Sequence, residues 1–228
     1  MTKILIVEDE DSIRKFVRVN LEMEHYEVEE AESGEKALEI YETFKPDIVL
    51  LDIMLPGIDG FQVCKYLRQD ERELGIIMLT AKNQDIDKIQ GLEAGSDDYI
   101  SKPFNPKELV LRIKSLERRL KSFDTSFSEN IIESSKFKLD RNSRKFYKEG
   151  KLIDLTPTEY SVMVLFLENP RQAISRDEIL DKVWGEDFIG DSKIVDVNIR
   201  RLRAKIEEDS SKPEYIKTVW GIGYIWEA

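Results

Sequence analysis

The stretch Asp47-Ile48-Val49-Leu50-Leu51-Asp52-Ile53-Met54-Leu55-Pro56-Gly57 decides how the first half of the chain folds. Ile48 to Leu51 is an unbroken apolar run of strand length. Such a run suits a strand covered on both faces, as in a parallel sheet. It stops on a carboxylate, Asp52, and a Pro-Gly turn follows. In open α/β sheets, ligands sit where strands reach their carboxyl ends. Asp52 is therefore either a stray charge at the margin of a core or the centre of a site.

Lys3 to Val7 is a second apolar run, and it ends at Glu8-Asp9-Glu10-Asp11. Ile13, Phe16, Val17 and Leu21 follow at helical spacing, with Asp11 or Ser12 as the expected cap. Tyr26 to Ala31 alternates like an outer strand. Ser33-Gly34-Glu35 opens a helix through Ala37, Leu38 and Tyr41. After Asp52 comes a helix marked by Phe61, Cys64 and Leu67, then a strand from Gly75 that ends at Thr80-Ala81. A helix is expected over about residues 85–93. Asp98-Tyr99-Ile100 is a fifth strand ending at Ser101-Lys102-Pro103. Pro106 starts a last helix, at a position where proline is tolerated, running to about Leu120. Five alternations of strand and helix predict a doubly wound five-stranded parallel sheet, an α/β fold of flavodoxin-like type. Right-handed crossovers bring the strand tips to one edge. Glu8, Asp9, Asp52, Thr80 and Lys102 should meet there.

The chain has 228 residues, 41% hydrophobic and 36% charged, a globular profile with room for two domains. No apolar run approaches the length of a membrane span, and the first residues lead straight into a strand rather than a signal peptide. Cys64 is the only cysteine, which excludes an intrachain disulfide and suits a reducing cytoplasm. On an apolar helix face it reads as core. The net charge of −11 is uneven: residues 1–120 hold 17 basic and 26 acidic side chains, residues 121–228 hold 18 and 20. An acidic total argues against nucleic acid, unless the basic residues of the second half are clustered.

Residues 121–130 are polar and aperiodic and read as a linker, reaching about 17 Å as flexible chain. They divide a first domain, 1–120, from a second, 131–228. Residues 131–155 look like short antiparallel strands broken at Asp140-Arg141-Asn142 and Glu149-Gly150. Thr156-Pro157-Thr158-Glu159 starts a helix with Tyr160, Val164 and Leu167 on its apolar face. Ser175 starts a second helix that ends at Trp184-Gly185, and Ser192 to about Glu207 is a third. Tyr215 to Val219 and Tyr224 to Trp226 flank Gly221-Ile222-Gly223 as a hairpin. In the third helix Val195, Ile199, Leu202 and Ile206 form one apolar stripe. Lys193, Val197, Arg200, Arg201 and Ala204 are then expected to point away. Lys193 to Lys205 holds five basic residues against one acid, Asp196. Arginines with small apolar residues between them suit a DNA major groove, touching phosphates, guanine edges and thymine methyls.

The strand-tip cluster has its own chemistry. Carboxylates gathered together raise one another's pKa, which a divalent cation relieves. Hard Mg²⁺ prefers a few carboxylates with waters and a phosphate. The chain lacks Gly-rich phosphate loops, and His25, its only histidine, sits at the far end of the first helix. Asp52 can itself act as a nucleophile toward phosphorus. Lys102 and Mg²⁺ would neutralise the phosphoryl oxygens, and Thr80 would donate a hydrogen bond to one.

Glu8-Asp9, Asp52, Thr80-Ala81 and Lys102-Pro103 together resemble the receiver domain of two-component response regulators. The resemblance implies Asp52 as phosphoacceptor and Glu8, Asp9 and Asp52 as Mg²⁺ ligands, with the main-chain carbonyl of Met54. It implies Lys102 as the phosphate-contacting lysine before a cis peptide to Pro103, and Thr80 with Tyr99 as a switch pair. Residues 85–121 are similar to the dimerisation face of OmpR/PhoB-type regulators. There Ile89, Leu92 and Val110 lie among Lys88, Glu93, Asp97, Asp98, Glu108, Arg112, Lys114 and Arg119, with Lys88–Glu108 and Asp98–Arg112 as pairs across a twofold axis.

In the second half, Asp196-Val197-Asn198-Ile199-Arg200-Arg201-Leu202-Arg203 and Thr218-Val219-Trp220-Gly221-Ile222-Gly223-Tyr224 resemble an α+β winged helix-turn-helix domain. In that family the third helix reads the major groove of promoter DNA and the hairpin, or wing, touches the minor groove. Asn198 and Arg203 then join the DNA-facing set. One departure stands out: Trp220 occupies a place that is often basic, and Ile225 is also uncharged. Packing of Trp220 on the domain or on sugars is the expectation in place of an arginine contact. The acidic Gly185–Asp191 loop is where RNA polymerase is touched in this family.

These features together read as a transcription regulator that receives a phosphoryl group from a sensor histidine kinase, dimerises and binds repeated half-sites, without being an enzyme in its own right. An aspartate-nucleophile phosphatase is a rival reading, but such enzymes usually carry a second Asp where this chain has Met54. A DNA-binding regulator indifferent to phosphorylation is the other.

Overall fold

The computed structural model describes residues 1–69, 73–81, 94–121, 130–186, 188 and 190–228. They form two compact units, Met1–Leu120 and Lys121–Ala228. Among the described residues no helix is long and apolar enough to cross a membrane.

The first unit runs β1 (Lys3–Val7), α1 (Asp11–Met23), β2 (Glu27–Ala31), α2 (Gly34–Phe44), β3 (Ile48–Asp52), α3 (Gly60–Leu67), β4 (Gly75–Ala81), β5 (Asp98–Lys102) and α4 (Pro106–Lys121). The five strands form one parallel sheet in the order β2-β1-β3-β4-β5. Every residue of β3 is buried, as its unbroken apolar run predicts. Ile4, Ile6, Ile48, Leu50, Ile77 and Leu79 pack on one face against Val17 and Leu21 of α1 and Leu109, Ile113 and Leu116 of α4. The helix expected over about residues 85–93 lies outside the described residues.

Local details depart from expectation in α1. Its N-cap is Glu10, with no side-chain cap, rather than Asp11 or Ser12. Phe16 is 48% exposed, with Val19 and Met23 also exposed. The buried stripe passes through Val17 and Leu21, four residues apart, and Phe16 lies about 100° round the helix from Val17. α2 and α3 are capped as their sequences suggest: Ser33 Oγ accepts from the Lys36 amide, and Asp59 forms a reciprocal capping box with Gln62.

The second unit begins with an antiparallel sheet of β6 (Ile131–Ser134), β7 (Phe137–Asp140), β8 (Lys145–Lys148) and β9 (Lys151–Ile153). It continues through α5 (Pro157–Glu168), β10 (Ala173–Ser175), α6 (Arg176–Val183), α7 (Lys193–Ile206), β11 (Ile216–Val219) and β12 (Gly223–Trp226). β10 was not expected; it pairs with β12 and converts the terminal hairpin into a three-stranded sheet. Thr156 with Glu159, and Ser175 with Glu178, close capping boxes on α5 and α6. The core is aromatic. Phe137 stacks on Phe146 at 5.6 Å and meets Tyr215 and Trp226 edge-on at 4.8 and 5.0 Å.

Candidate functional site

Four adjacent strands, β1, β3, β4 and β5, deliver the cluster. Parallel pairing sets Asp52 of β3 beside Leu79 of β4, and Thr80 of β4 beside Ser101 of β5. The carboxyl ends therefore share one edge. Three backbone hydrogen bonds hold the rim: the Glu8 amide donates to Ala31 O (3.0 Å), the Ile53 amide to Leu79 O (3.1 Å) and the Gly60 amide to Ile53 O (3.0 Å). Gly60 has no room for a side chain, because a Cβ there would stand 2.1 Å from the carbonyl oxygen of Asp52.

Lys102 Nζ lies 2.7 Å from Asp52 Oδ2 and 2.6 Å from Glu8 Oε2. Asp52 Oδ1 accepts from the Met54 amide at 3.2 Å. Glu8, Asp52 and Thr80 are buried and Asp9 is exposed, so the cluster opens toward solvent on the Asp9 side. Burial pushes the Glu8 carboxyl above its ordinary range, Asp52 adds to the rise, and the Lys102 contact opposes it. For Lys102, burial alone would lower the ammonium; Asp52 and Glu8 outweigh that and raise it. One oxygen each from Glu8, Asp9 and Asp52 lies within 4.8 Å of the others. An all-oxygen, carboxylate-rich set with an open side fits a hard divalent cation that keeps waters. Tyr99 is buried on β5, beside Met78 of β4, and the Lys102–Pro103 peptide is cis. The Met54 side chain is exposed.

The charged face expected along residues 85–121 is distributed differently. Lys88, Ile89, Leu92 and Glu93 lie outside the described residues. Asp97, Asp98, Arg112, Arg119 and Val110 are buried, while Glu108 is half-buried and Lys114 exposed. The Asp98–Arg112 pair, expected across a twofold axis, forms within one chain: Arg112 Nη1 donates to Asp98 Oδ1 at 3.0 Å, and Arg112 Nη2 to Glu108 Oε1 at 2.8 Å. Asp98 opens β5 and Arg112 lies on α4, which follows that strand, so the pair closes locally. Asp97 accepts from Arg68 Nη2 (2.6 Å) and the Ile76 amide (2.9 Å), and Lys114 pairs with Glu24 at 2.7 Å.

On α7 the apolar stripe is buried as expected, and Lys193, Arg200 and Ala204 are exposed. Four residues expected on the DNA-facing side are turned elsewhere by packing. Val197 and Asn198 are buried, the Asn198 amide donating to Ile194 O at 2.8 Å. Arg201 turns inward to Glu159 at 2.9 Å, a carboxylate shared with Lys205 at 2.7 Å. Arg203 braces the hairpin, donating to Ile216 O and to Thr218 Oγ1, both at 2.9 Å. Sequence reasoning had Glu159 only as a helix-start residue. Its Thr-x-x-Glu spacing announces the capping box but not the second task, holding two cations of α7. Trp220 does not pack on its domain: it is 91% exposed.

A second cluster was missed altogether. Arg176 of α6 donates to Asp196 Oδ1 (2.7 Å) and to the Tyr224 hydroxyl (3.1 Å), and that hydroxyl donates to Asp196 Oδ1 (2.6 Å). The guanidiniums of Arg176 and Arg203 lie 4.8 and 5.6 Å from the Tyr224 ring. Burial and the Asp196 contact push Tyr224 up to about 12. These contacts tie α6, α7 and β12 together, and no spacing in the sequence signals them.

Comparison with known proteins agrees with this architecture. Residues 4–114 match the response regulator receiver domain, and residues 150–226 match the C-terminal domain of transcriptional regulatory proteins. The chain is 43% identical over 237 residues to the alkaline phosphatase synthesis transcriptional regulatory protein PhoP of Bacillus subtilis, covering 97% of this chain and 95% of that one. It is 40% identical over 233 residues to the transcriptional regulatory protein ResD of the same organism, covering 99% and 96%. Among solved structures, a mutant of RitR aligns with a TM-score of 0.82 at 26% identity, covering 100% of this chain and 99% of that one. DrrB, an OmpR/PhoB homolog from Thermotoga maritima, aligns with a TM-score of 0.53 at 33% identity over the whole of both chains. The chain belongs to the OmpR/PhoB-type two-component response regulators, with a receiver domain followed by a winged-helix DNA-binding domain of transcriptional regulators.

Proposed function

We propose that Asp52 accepts a phosphoryl group from a phosphohistidine on a sensor kinase, and that this modification controls dimerisation and promoter binding. The observation that carries the reading is the Lys102 ammonium held between the Asp52 and Glu8 carboxylates. In the transfer, an Asp52 oxygen forms a bond to phosphorus as the N–P bond of the donor breaks. Glu8, Asp9, Asp52 and the Met54 carbonyl would hold Mg²⁺, whose charge neutralises phosphoryl oxygens. Lys102 leaves its ion pair with Asp52 to meet the new phosphoryl oxygens, and Thr80 donates to another. Displacing that ion pair links chemistry to shape: Thr80 and Tyr99 reorient, favouring an active form already present at low population.

The active receiver pairs with a second copy through a surface that includes α4, where Glu108 and Lys114 keep solvent access. A charge reversal, Glu108→Lys, should weaken that pairing. Two effector domains then occupy repeated half-sites in double-stranded promoter DNA, with α7 in the major groove through Lys193 and Arg200, and with Val197, Asn198, Arg201 and Arg203 packed behind that surface. The Gly185–Asp191 loop is the proposed contact with RNA polymerase, and the protein acts in the cytoplasm. Asp52 serves as an acceptor that loses its phosphoryl group slowly, rather than as an enzyme that turns over phosphate esters.

The test compares wild type with Asp52→Ala. Acetyl phosphate and Mg²⁺ should label the wild type and leave the variant unlabelled, and genome-wide footprinting should show sites that the variant does not occupy. Equal occupancy and regulation by Asp52→Ala would favour a regulator indifferent to phosphorylation.

A further inference from the structure

Glu8, Asp9 and Glu10 alone join β1 to α1, so both acidic side chains of the cluster's first strand leave from a very short loop. That loop is fastened from outside the cluster. The Glu8 amide donates to Ala31 O of β2 at 3.0 Å. Arg14, near the start of α1, donates from Nη1 to Glu8 O at 2.7 Å and to Asp9 O at 3.3 Å. Its side chain is 12% exposed, and Nη2 donates to Asp11 Oδ1 at 3.0 Å. Glu30 of β2 lies 4.0 Å from Arg14 Nε and 3.7 Å from Arg18 Nη1.

Each peptide unit is planar, and Glu8 O and Asp9 O belong to the units on either side of the Asp9 Cα. Holding both oxygens fixes both planes, and with them the direction of the Asp9 Cα–Cβ bond. This matters more for Asp9 than for its neighbour. The Glu8 carboxylate is directed by Lys102 at 2.6 Å, whereas Asp9 is exposed. A lysine could not reproduce the arrangement, because its ammonium has no planar fork to span two carbonyls and a carboxylate. Asp11 and Glu30 match the charge of the guanidinium where it stands, so its influence on the cluster passes through the main chain.

We propose that Arg14 is a positioning residue for the divalent cation. It aims the Asp9 carboxylate at the site shared with Glu8 and Asp52 without touching the metal. This rests on the phosphoacceptor reading above and adds a residue to it. One oxygen from each of the three carboxylates already lies within 4.8 Å of the others. Keeping that spacing in the free protein spares the cation the cost of ordering an exposed side chain. Charge and positioning predict opposite signs for loss of the guanidinium. Removing a cation beside an acidic cluster would by charge alone tighten metal binding, whereas releasing Asp9 loosens it.

The probe is Mg²⁺ itself, titrated by calorimetry into the folded full chain, with labelling of Asp52 by acetyl phosphate followed in parallel. Arg14→Ala should bind Mg²⁺ about tenfold more weakly. Its labelling should be slow at limiting Mg²⁺ and return to within about twofold of wild type at saturation, because Asp52, Thr80 and Lys102 are untouched. Arg14→Lys keeps the charge and should still bind Mg²⁺ at least about threefold more weakly. It also carries the test if Arg14→Ala does not fold. Wild-type or tighter Mg²⁺ binding by Arg14→Ala would overturn the proposal and leave the phosphoacceptor reading standing. Wild-type binding by Arg14→Lys would overturn it too, since a cation without the fork would then suffice. A wild type that binds no Mg²⁺ would instead remove the metal assignment, and the positioning role with it.

Discussion

The Lys102 ammonium sits 2.7 Å from Asp52 Oδ2 although fifty residues separate the two along the chain. The same ammonium lies 2.6 Å from Glu8. One cation thus neutralises two buried carboxylates delivered by different strands, and competes with any metal for them.

Lys102→Ala should separate two effects. With the ammonium gone, Mg²⁺ should bind the carboxylates more tightly in a calorimetric titration. Labelling of Asp52 by acetyl phosphate should nevertheless fall about a hundredfold, because a charge aimed at the developing phosphoryl oxygens is lost. A variant labelled at the wild-type rate would remove Lys102 from the chemistry.

Gly60→Ala tests the rim. The added methyl would stand 2.1 Å from Asp52 O and 2.8 Å from Ile53 Cα, both main-chain atoms. The end of β3 has to move, at a cost of about 1–3 kcal/mol in chemical denaturation followed by circular dichroism. Labelling of Asp52 should fall with it. Unaltered stability would mean that the rim yields more easily than its hydrogen bonds suggest.

Arg112→Ala leaves the fully buried Asp98 without its nearest cation. Breaking a buried pair from one side costs about 3–5 kcal/mol, and Asp98→Asn in the same chain should recover part of it. Burial already holds the Asp98 carboxyl above its ordinary value, against the pull of Arg112 and Arg119. The folded variant should take up a proton there, so the deficit is greatest at neutral pH and shrinks on acidification. A deficit independent of pH would assign the loss to packing.

Glu159 has the opposite sign. Burial alone would raise its carboxyl, but Arg201 and Lys205 outweigh that and hold it below the ordinary 4.5. The stabilisation is present above pH 4.5 and is lost as the pH falls through the lower folded-state value. All three tryptophans, at 184, 220 and 226, lie in the second unit, so tryptophan emission follows its unfolding alone. Wild type should lose stability on acidification in that window. Glu159→Gln should lack the dependence and be less stable at pH 7 by about 1–3 kcal/mol.

Much of this protein is legible in the sequence because its signals are local. Apolar runs such as Ile48 to Leu51 declare buried strands. Alternation with helices leaves essentially one sheet architecture, and right-handed crossovers bring Glu8, Asp9, Asp52, Thr80 and Lys102 to one edge. The basic helix and the glycine-marked hairpin are equally local patterns. What only the tertiary structure decided is which way polar side chains turn. Helical periodicity places Val197 and Arg201 on an outer face, yet Val197 is buried and Glu159, forty-two positions before Arg201, draws that guanidinium inward. Arg112 finds Asp98 within its own chain, fourteen positions away, and Trp220 finds no partner surface in its domain. The physical reason is range. Hydrophobic burial follows periodicity along the chain, whereas an ion pair forms wherever folding brings opposite charges within a few ångströms, and sequence spacing carries no record of that distance.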